Sequence, residues 1–313
     1  MASIGSFGLD VGIYGPLANR EVIFNVARRA EDAGFASLWL ADHVAFPVSF
    51  ASPYPYSATG QFPAAPADPL LEPVVTMGVL IGATRRVRIG TAALIMPYRN
   101  PLLLARMLVT LDHLSGGRII VGAGVGWLRE EFEALGSRDF GRRGRVTDEH
   151  LEIFKSVCVG GAVDFQGQTY AFAPVFSSPG ALQQPHPPIL VGGMSDAALR
   201  RVIRHGNGWL AVAADAARLK ERLAALRRYA DTAGRRFAEL MLVYKMFLDI
   251  GEARSNRMAA REPGTGSLAE ITADIAQLFA LGFDSIIIRC RARSKADLDN
   301  QLELFLGKIL PHA

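Results

Sequence analysis

The residues of this chain that can do chemistry gather where apolar runs end. The run 35–40 leads straight into Ala41-Asp42-His43. Imidazole is the side chain whose ordinary pKa lies nearest neutrality, so His43 is the foremost candidate for moving a proton or touching a redox ring. Asp42 is placed to orient a neighbour or to bond a ligand hydroxyl. A second run, Arg118-Ile119-Ile120-Val121, leads through Gly122-Ala123-Gly124-Val125-Gly126 into Trp127-Leu128-Arg129-Glu130-Glu131-Phe132, which has helical spacing. Alternating glycines let the backbone approach a planar or phosphorylated ligand. A third run, Pro187-Pro188-Ile189-Leu190-Val191, ends in Gly192-Gly193-Met194 ahead of a helix over 196–205, where backbone N–H groups make an anion site. Gly90-Thr91-Ala92 closes a fourth run and offers the Thr91 hydroxyl and backbone amides to the same ligand. Trp127 and Trp209 suit ring stacking and core packing equally. Glu130 lies one turn from the glycines, within reach of a site there, whereas Glu131 reads as a helix face. A single histidine is more often structural than catalytic, and a glycine turn is often only tight packing. The agreement of four strand ends carries the reading.

Other chemistries lack their residues. The glycines follow G-x-G-x-G behind three earlier strands, and not the G-x-G-x-x-G of a first dinucleotide-binding unit. His113, His150, His186, His205 and His312 are scattered without H-E-x-x-H, so no metal site is read, and no G-x-S-x-G elbow is present. The net charge of +4 is spread along helices, which argues against a nucleic-acid partner. No window of about twenty apolar residues calls for a membrane. The first residues lack the basic-then-apolar pattern of a secretory leader. Cys158 and Cys290 have no ligand-spaced neighbours and read as core thiols of a reducing compartment, so a cytoplasmic location is expected.

The elements that must position these residues alternate without a break. Strands are predicted over 7–13, 35–40, 87–93, 118–121, 187–193, 208–212, 240–250 and 285–289. Helices are predicted over 20–33, 70–84, 101–114, 127–132 with a second run 147–157, 196–205, 216–233, 268–281 and 295–310, and a hairpin over 163–172. Eight β-then-α units with no shift in composition predict one α/β domain over 1–313. Its fold is a (β/α)8 TIM barrel with insertion loops and a site at the C-terminal strand ends. The long connection 44–69 is a binding loop in which Tyr54, Tyr56 and Phe62 are suited to line a pocket. The polar segment 251–266 is expected to be mobile. Arg138, Arg142, Arg143 and Arg145 form the densest basic cluster, either a solvated helix start or a rim that contacts an anion.

Several of these pieces carry a family resemblance. They are Gly34-Phe35 with Ser37-Leu38-Trp39 and Asp42-His43, then Val87-Arg88-Ile89-Gly90-Thr91, Leu114-Ser115-Gly116-Gly117-Arg118, the stretch 122–132, the stretch 187–193 and Gly206-Asn207-Gly208-Trp209. The chain resembles the bacterial luciferase-like superfamily of flavin- and deazaflavin-dependent oxidoreductases, and most nearly its branch of coenzyme F420-dependent oxidoreductases. The resemblance implies a barrel that holds the tricyclic ring of F420, or alternatively of FMN, at the strand ends. His43 would lie near the ring, an irregular and sometimes cis peptide around Thr91-Ala92 behind it, and the phosphate on the glycines after the fifth strand. It implies hydride transfer between F420 and a small organic substrate, with the cofactor's anionic tail suited to the arginines of 138–145. The alternatives are an FMN-dependent monooxygenase supplied by a reductase partner for the flavin or F420, and a flavin-binding protein without turnover. A homodimer is also implied. Two departures stand out. Trp127 occupies the place of an acid in the sugar-phosphate dehydrogenase branch, so that acid's proton-donor role is not inherited. Asn207 stands where many relatives have aspartate, which is expected to remove a charge near the rim.

Overall fold

The computed structural model describes residues 5–57, 59–137, 140–255 and 260–312. Short apolar runs form the strands β1 (Ser6–Asp10), β2 (Ser37–Leu40), β3 (Arg88–Thr91), β4 (Leu94–Ile95), β5 (Ile119–Gly124), β6 (Gly161–Gln166), β7 (Ala171–Ser177), β8 (Ile189–Gly192), β9 (Gly208–Val212), β10 (Met241–Ile250), β11 (Thr265–Gly266) and β12 (Ser285–Cys290). Eight of them pair in parallel in the order β1-β2-β3-β5-β8-β9-β10-β12, and β12 pairs back onto β1. Leu9 faces Leu38 on one side and Ile288 on the other, which closes the ring. β6 and β7 form a separate antiparallel hairpin, β4 extends beside β5, and β11 extends beside β10.

The helices α1 (Arg20–Asp32), α2 (Pro73–Ala83), α3 (Pro101–Ser115), α4 (Arg129–Ala134), α5 (Arg143–Val159), α6 (Asp196–His205), α7 (Ala216–Thr232), α8 (Leu268–Ala280) and α9 (Lys295–Leu304) follow the strands. Their starts are written in local chemistry. Asn19, Ser195, Asp215 and Ser294 accept first-turn N–H groups, Ser267 and Glu270 form a capping box, and Pro73 and Pro101 stand where a missing N–H costs nothing.

One apolar layer lies between strands and helices, and a smaller one fills the barrel: Trp39, Ile120, Leu190, Leu210, Val243 and Ile287. The Trp39 indole fits only because Gly8 and Gly90 face it; a Cβ at either would collide with the ring. Toward the C-terminal strand ends the inward positions turn polar. Asp10, Lys245 and Arg289 follow Gly8, Val243 and Ile287 at the two-residue period of strands.

Helix and strand positions follow the sequence pattern closely, with differences in several places, and β1 stops at Asp10, short of the predicted residue 13. β3 stops at Thr91, short of residue 93, where the chain turns through a cis Ala92–Ala93 peptide. The last helix is regular only to Leu304 and continues as a π turn over Phe305–Ile309. In the described part of 251–266, Thr265 and Gly266 pair with β10, and Arg261 forks Asp274 at 2.9 and 2.6 Å. Residues 256–259 and Arg138 lie outside the described residues. Asn207 precedes β9 and accepts the Ile189 N–H at 2.9 Å, at the N-terminal strand ends, so its lost charge is far from the rim where it was expected.

Candidate active site

His43 is buried at the end of β2, and its Nδ1 lies 2.6 Å from Glu131 Oε2. Glu131 is fully buried; its Oε1 accepts the Val44 and Ala45 N–H groups at 2.6 and 3.1 Å, and its Oε2 also accepts the Tyr98 hydroxyl at 2.8 Å. Burial pushes the Glu131 carboxyl up, and the bonds from His43, Val44 and Tyr98 outweigh it, holding the group below the ordinary glutamate value. An ionised Glu131 must take a hydrogen from Nδ1. The imidazole is thereby fixed in orientation and tautomer, with Nε2 as the nitrogen left for exchange with a ligand. Burial and the negative charge of Glu131 also push Tyr98 well above the ordinary phenol, so it stays a donor.

Asp42 binds inward. Its carboxylate takes both Arg99 donors at 2.8 and 2.9 Å and the Ile95 N–H at 2.7 Å, while Arg99 also reaches Glu72. Burial raises the Asp42 pKa despite these bonds. Asp42 thus pins β4, which follows the cis peptide, to the end of β2. Thr91 is likewise occupied: its hydroxyl donates to the Gly122 carbonyl at 2.9 Å and accepts the Gly122 N–H at 3.0 Å, and the residue is fully buried. The hydroxyl expected to reach a ligand is spent on β5.

A cavity of about 160 Å³ opens beside His43, lined on its floor by Ala92, Ala93, Gly124, Gly192 and Gly193 and on one side by Val125, Gly126 and Trp127. The glycines differ in cause. A Cβ at Gly122 would drive into the Thr91 carbonyl and one at Gly126 into Phe132 and Ile95, so packing alone demands both. At Gly192 a Cβ would meet only Ala123 O and Ala93 Cβ, each at 3.5 Å, and at Gly124 only Ala93 Cβ at 3.3 Å and Leu94 O at 3.6 Å. Packing leaves room there, and what a side chain would occupy is the cavity. Met194 packs on the outer core and is not among the lining residues, and Trp209 is a fully buried prop whose Nε1 donates to the Gly193 carbonyl at 2.8 Å.

The loop 44–69 roofs this floor with aromatic rings. Tyr54, Tyr56 and Phe62 line the cavity; Phe62 stacks on Trp127 at 5.8 Å and Phe46 lies 4.6 Å from the His43 ring. Glu130 does not face the cavity: its carboxylate accepts the Ala51 and Ser52 N–H groups at 2.7 and 3.2 Å. The consecutive acids of α4 therefore hold the loop at two points, Glu131 at 44–45 and Glu130 at 51–52. Arg143 bonds the Gly126 carbonyl at 3.1 Å and Arg145 bonds Gln168, and neither lines a cavity beside the strand ends.

Three further residues were not singled out from sequence. Lys245 Nζ donates to the Ala92 carbonyl at 3.0 Å and pairs with Asp10 Oδ2 at 2.6 Å, and Arg289 meets Asp10 Oδ1 at 3.0 Å. Burial raises the Asp10 pKa, and the two cations more than offset this, leaving it ionised. Lys245 thus lines the cavity with its Nζ held between Ala92 and Asp10. Among the described residues no group of three or more His, Cys, Asp or Glu is arranged to hold a metal, and no helix is long and apolar enough to cross a membrane.

A closed barrel with this rim belongs to a well-populated class, and comparison with known proteins assigns the chain within it. Residues 10–300 match the luciferase-like monooxygenase family, and the chain belongs to that family of oxidoreductases and monooxygenases. It is 34% identical over 210 residues to the uncharacterized protein Rv0940c of Mycobacterium tuberculosis, covering 67% of this chain and 72% of that one. It is 35% identical over 134 residues to the FMNH(2)-dependent dimethylsulfone monooxygenase of Pseudomonas putida, covering 42% of this chain and 37% of that protein. An F420-dependent secondary alcohol dehydrogenase, solved with an F420-acetone adduct, superposes with a TM-score of 0.79 over 99% of both chains; at 16% identity this likeness shows the fold alone.

Proposed function

We propose that this protein transfers hydride between coenzyme F420 and a small organic substrate, with the cofactor ring on the floor beside His43. The observation that carries the reading is the buried Tyr98–Glu131–His43 relay, which ends at the edge of a floor made of Ala92, Ala93, Gly124, Gly192 and Gly193. A floor of glycine backbone and alanine methyls, with Lys245 among its lining, accepts a flat tricyclic ring, and the aromatic roof of Trp127 and Phe62 supplies the opposite face. The cavity of about 160 Å³ is below the roughly 300 Å³ of common ligand pockets, so entry of the ring needs some of the lining aromatic side chains to move.

When bound, the deazaflavin supplies the carbon that takes up or returns a hydride. His43 Nε2 takes the proton of an alcohol as its hydride leaves, or returns it to a carbonyl in reverse. Glu131 stabilises the imidazolium formed in that step. The relay's pull on Nδ1 fixes the ring, and the roof excludes water. Trp127 offers no exchangeable acid, so proton traffic passes through His43.

The identity shared with an FMNH(2)-dependent monooxygenase supports a second reading, in which the chain uses reduced FMN delivered by a reductase partner. Titration of the apoprotein with F420 and with FMN, followed by absorbance, separates the two. Micromolar or tighter binding of F420 with weak FMN is the expected result, and tight binding of FMN alone replaces the first reading by the second. In the loaded protein, His43→Ala is expected to lose turnover by about 10²–10⁴ without loss of cofactor. We further propose a homodimer, supported by the exposed apolar side chains Val75 and Val79 on α2 and Leu103, Met107 and Leu114 on α3.

A further inference from the structure

Beside the ring cavity lies a larger chamber of about 660 Å³, which shares Tyr14, Tyr54, Tyr56, Phe62 and Phe247 with it. The two spaces are neighbours across these shared rings. The far wall is built differently. Arg289, Arg291 and Arg293 stand two residues apart along the end of β12 and the segment after it, and Arg254 joins them from the segment after β10. Among the described residues the chamber's only carboxylates are Glu252 and Glu262. Arg291 Nη2 donates to both Glu262 oxygens at 2.8 and 2.9 Å, and Glu252 is held by Arg254 at 3.1 Å. Asp10 and Asp249, the other partners of Arg289 and Arg254, are buried and do not line the chamber.

On the lining itself four guanidinium groups stand against two carboxylates, with Asp10 and Asp249 behind them offsetting part of that charge, and among the described residues Arg293 is the one of the four whose side chain no carboxylate engages. Two of the arginines are further braced by rings, Arg289 over Tyr14 at 5.1 Å and Arg291 over Phe247 at 5.0 Å. A braced guanidinium is pre-oriented for a carboxylate or similar planar anion, and the low dielectric of a cavity strengthens the contact. The opposite wall of tyrosines and Phe62 matches a flat apolar body.

We propose that this chamber binds the substrate, and that the substrate is an organic anion with an aromatic or flat apolar body, its carboxylate or sulfonate on the arginine wall. The assignment rests on the redox reading above, since only a ring in the adjoining cavity places such a substrate next to the hydride. The same arginines would also suit an anionic cofactor tail, and the test separates the two sources.

Binding of 2-naphthoate and of its neutral counterpart 2-naphthylmethanol is followed by the anisotropy of their own fluorescence, on the apoprotein and on protein loaded with F420 or FMN. Naphthoate is expected to bind at least ten-fold tighter than the alcohol. The double variant Arg254→Gln/Arg293→Gln is expected to lose about ten-fold in naphthoate affinity while its cofactor Kd stays within two-fold. Equal affinity for the acid and the alcohol in the unmodified protein overturns the proposal without recourse to a variant. Lost cofactor affinity with naphthoate binding retained in the variant also overturns it, by assigning the arginines to the cofactor tail. Failure of both cofactors to bind, with the preference for the acid intact on the apoprotein, counts against the redox reading and leaves the anion chamber standing.

Discussion

Replacing Gly192 by alanine should raise stability and lower cofactor affinity together, a pairing that only a ligand-facing glycine produces. Gly192 ends β8 with φ outside the left-handed region, and the new Cβ would sit at ordinary contact distance, 3.5 Å, from Ala123 O and Ala93 Cβ. With no strain in the fold, the main effect on stability is a smaller entropy of the unfolded chain, about 0.4–1 kcal/mol in favour of the variant. In a chain of this size that is roughly 1–3 °C in Tm. The same methyl lifts a ring off the floor. Losing contact over part of its face should cost on the order of 1.4 kcal/mol or more, a Kd weakened ten-fold or more. Melting of the apoprotein gives the first quantity and titration with F420 and with FMN gives the second. Gly307→Ala is the control: it is exposed on the π turn after α9 with nothing within 4 Å of the added Cβ, so it should stabilise and leave Kd alone. An unchanged Kd in Gly192→Ala would remove the ring from this floor, and a lowered Tm would show that the glycine is there for packing.

Glu131→Gln presents an amide N–H to His43 Nδ1 and forces the opposite tautomer, so turnover should fall by about 10²–10⁴ with cofactor Kd within three-fold; kinetics and titration on the same sample check both. His150 is pushed down to about 3 by burial and His205 down to about 4 by burial, against the attraction of Asp148. Both folded values lie below the ordinary 6.5. As pH falls below that point the unfolded chain gains protons that the native state refuses. Stability should therefore drop by up to about 1.4 kcal/mol per pH unit for each histidine, flattening near pH 4 for His205 and near pH 3 for His150. Chemical unfolding between pH 7 and 4 measures it, and replacing either histidine by glutamine should shallow the slope. For assembly, light scattering should give a dimer, and Val75→Glu with Leu103→Glu should shift it to monomer; a monomeric unmodified protein would refute the pairing.

The barrel was legible because its signal is local. Apolar strands, capped helices and glycine-tipped ends repeat in order, and each repeat needs only its own neighbours to be recognised. Glu131 carried a local signal of a different kind: with Leu128, Phe132 and Leu135 it lies on one helical stripe, and a carboxylate on a buried stripe implies a buried partner. The sequence does not say that the partner is His43, 88 positions away. Thr91 misled for the reverse reason, since a hydroxyl at a strand end looks available until the neighbouring strand takes it. Asp10, Lys245 and Arg289 were beyond any local reading. β1 pairs with β12, and β12 pairs with β10, so these three charges meet only where the two ends of the chain close the ring. Each alone is one polar residue in an apolar strand. Together they set one carboxylate between two cations, and its cost of burial is met only in the closed barrel. The charge that shapes both the ring cavity and the anion chamber is thus a product of closure, and strand alternation places it inward without revealing what it faces.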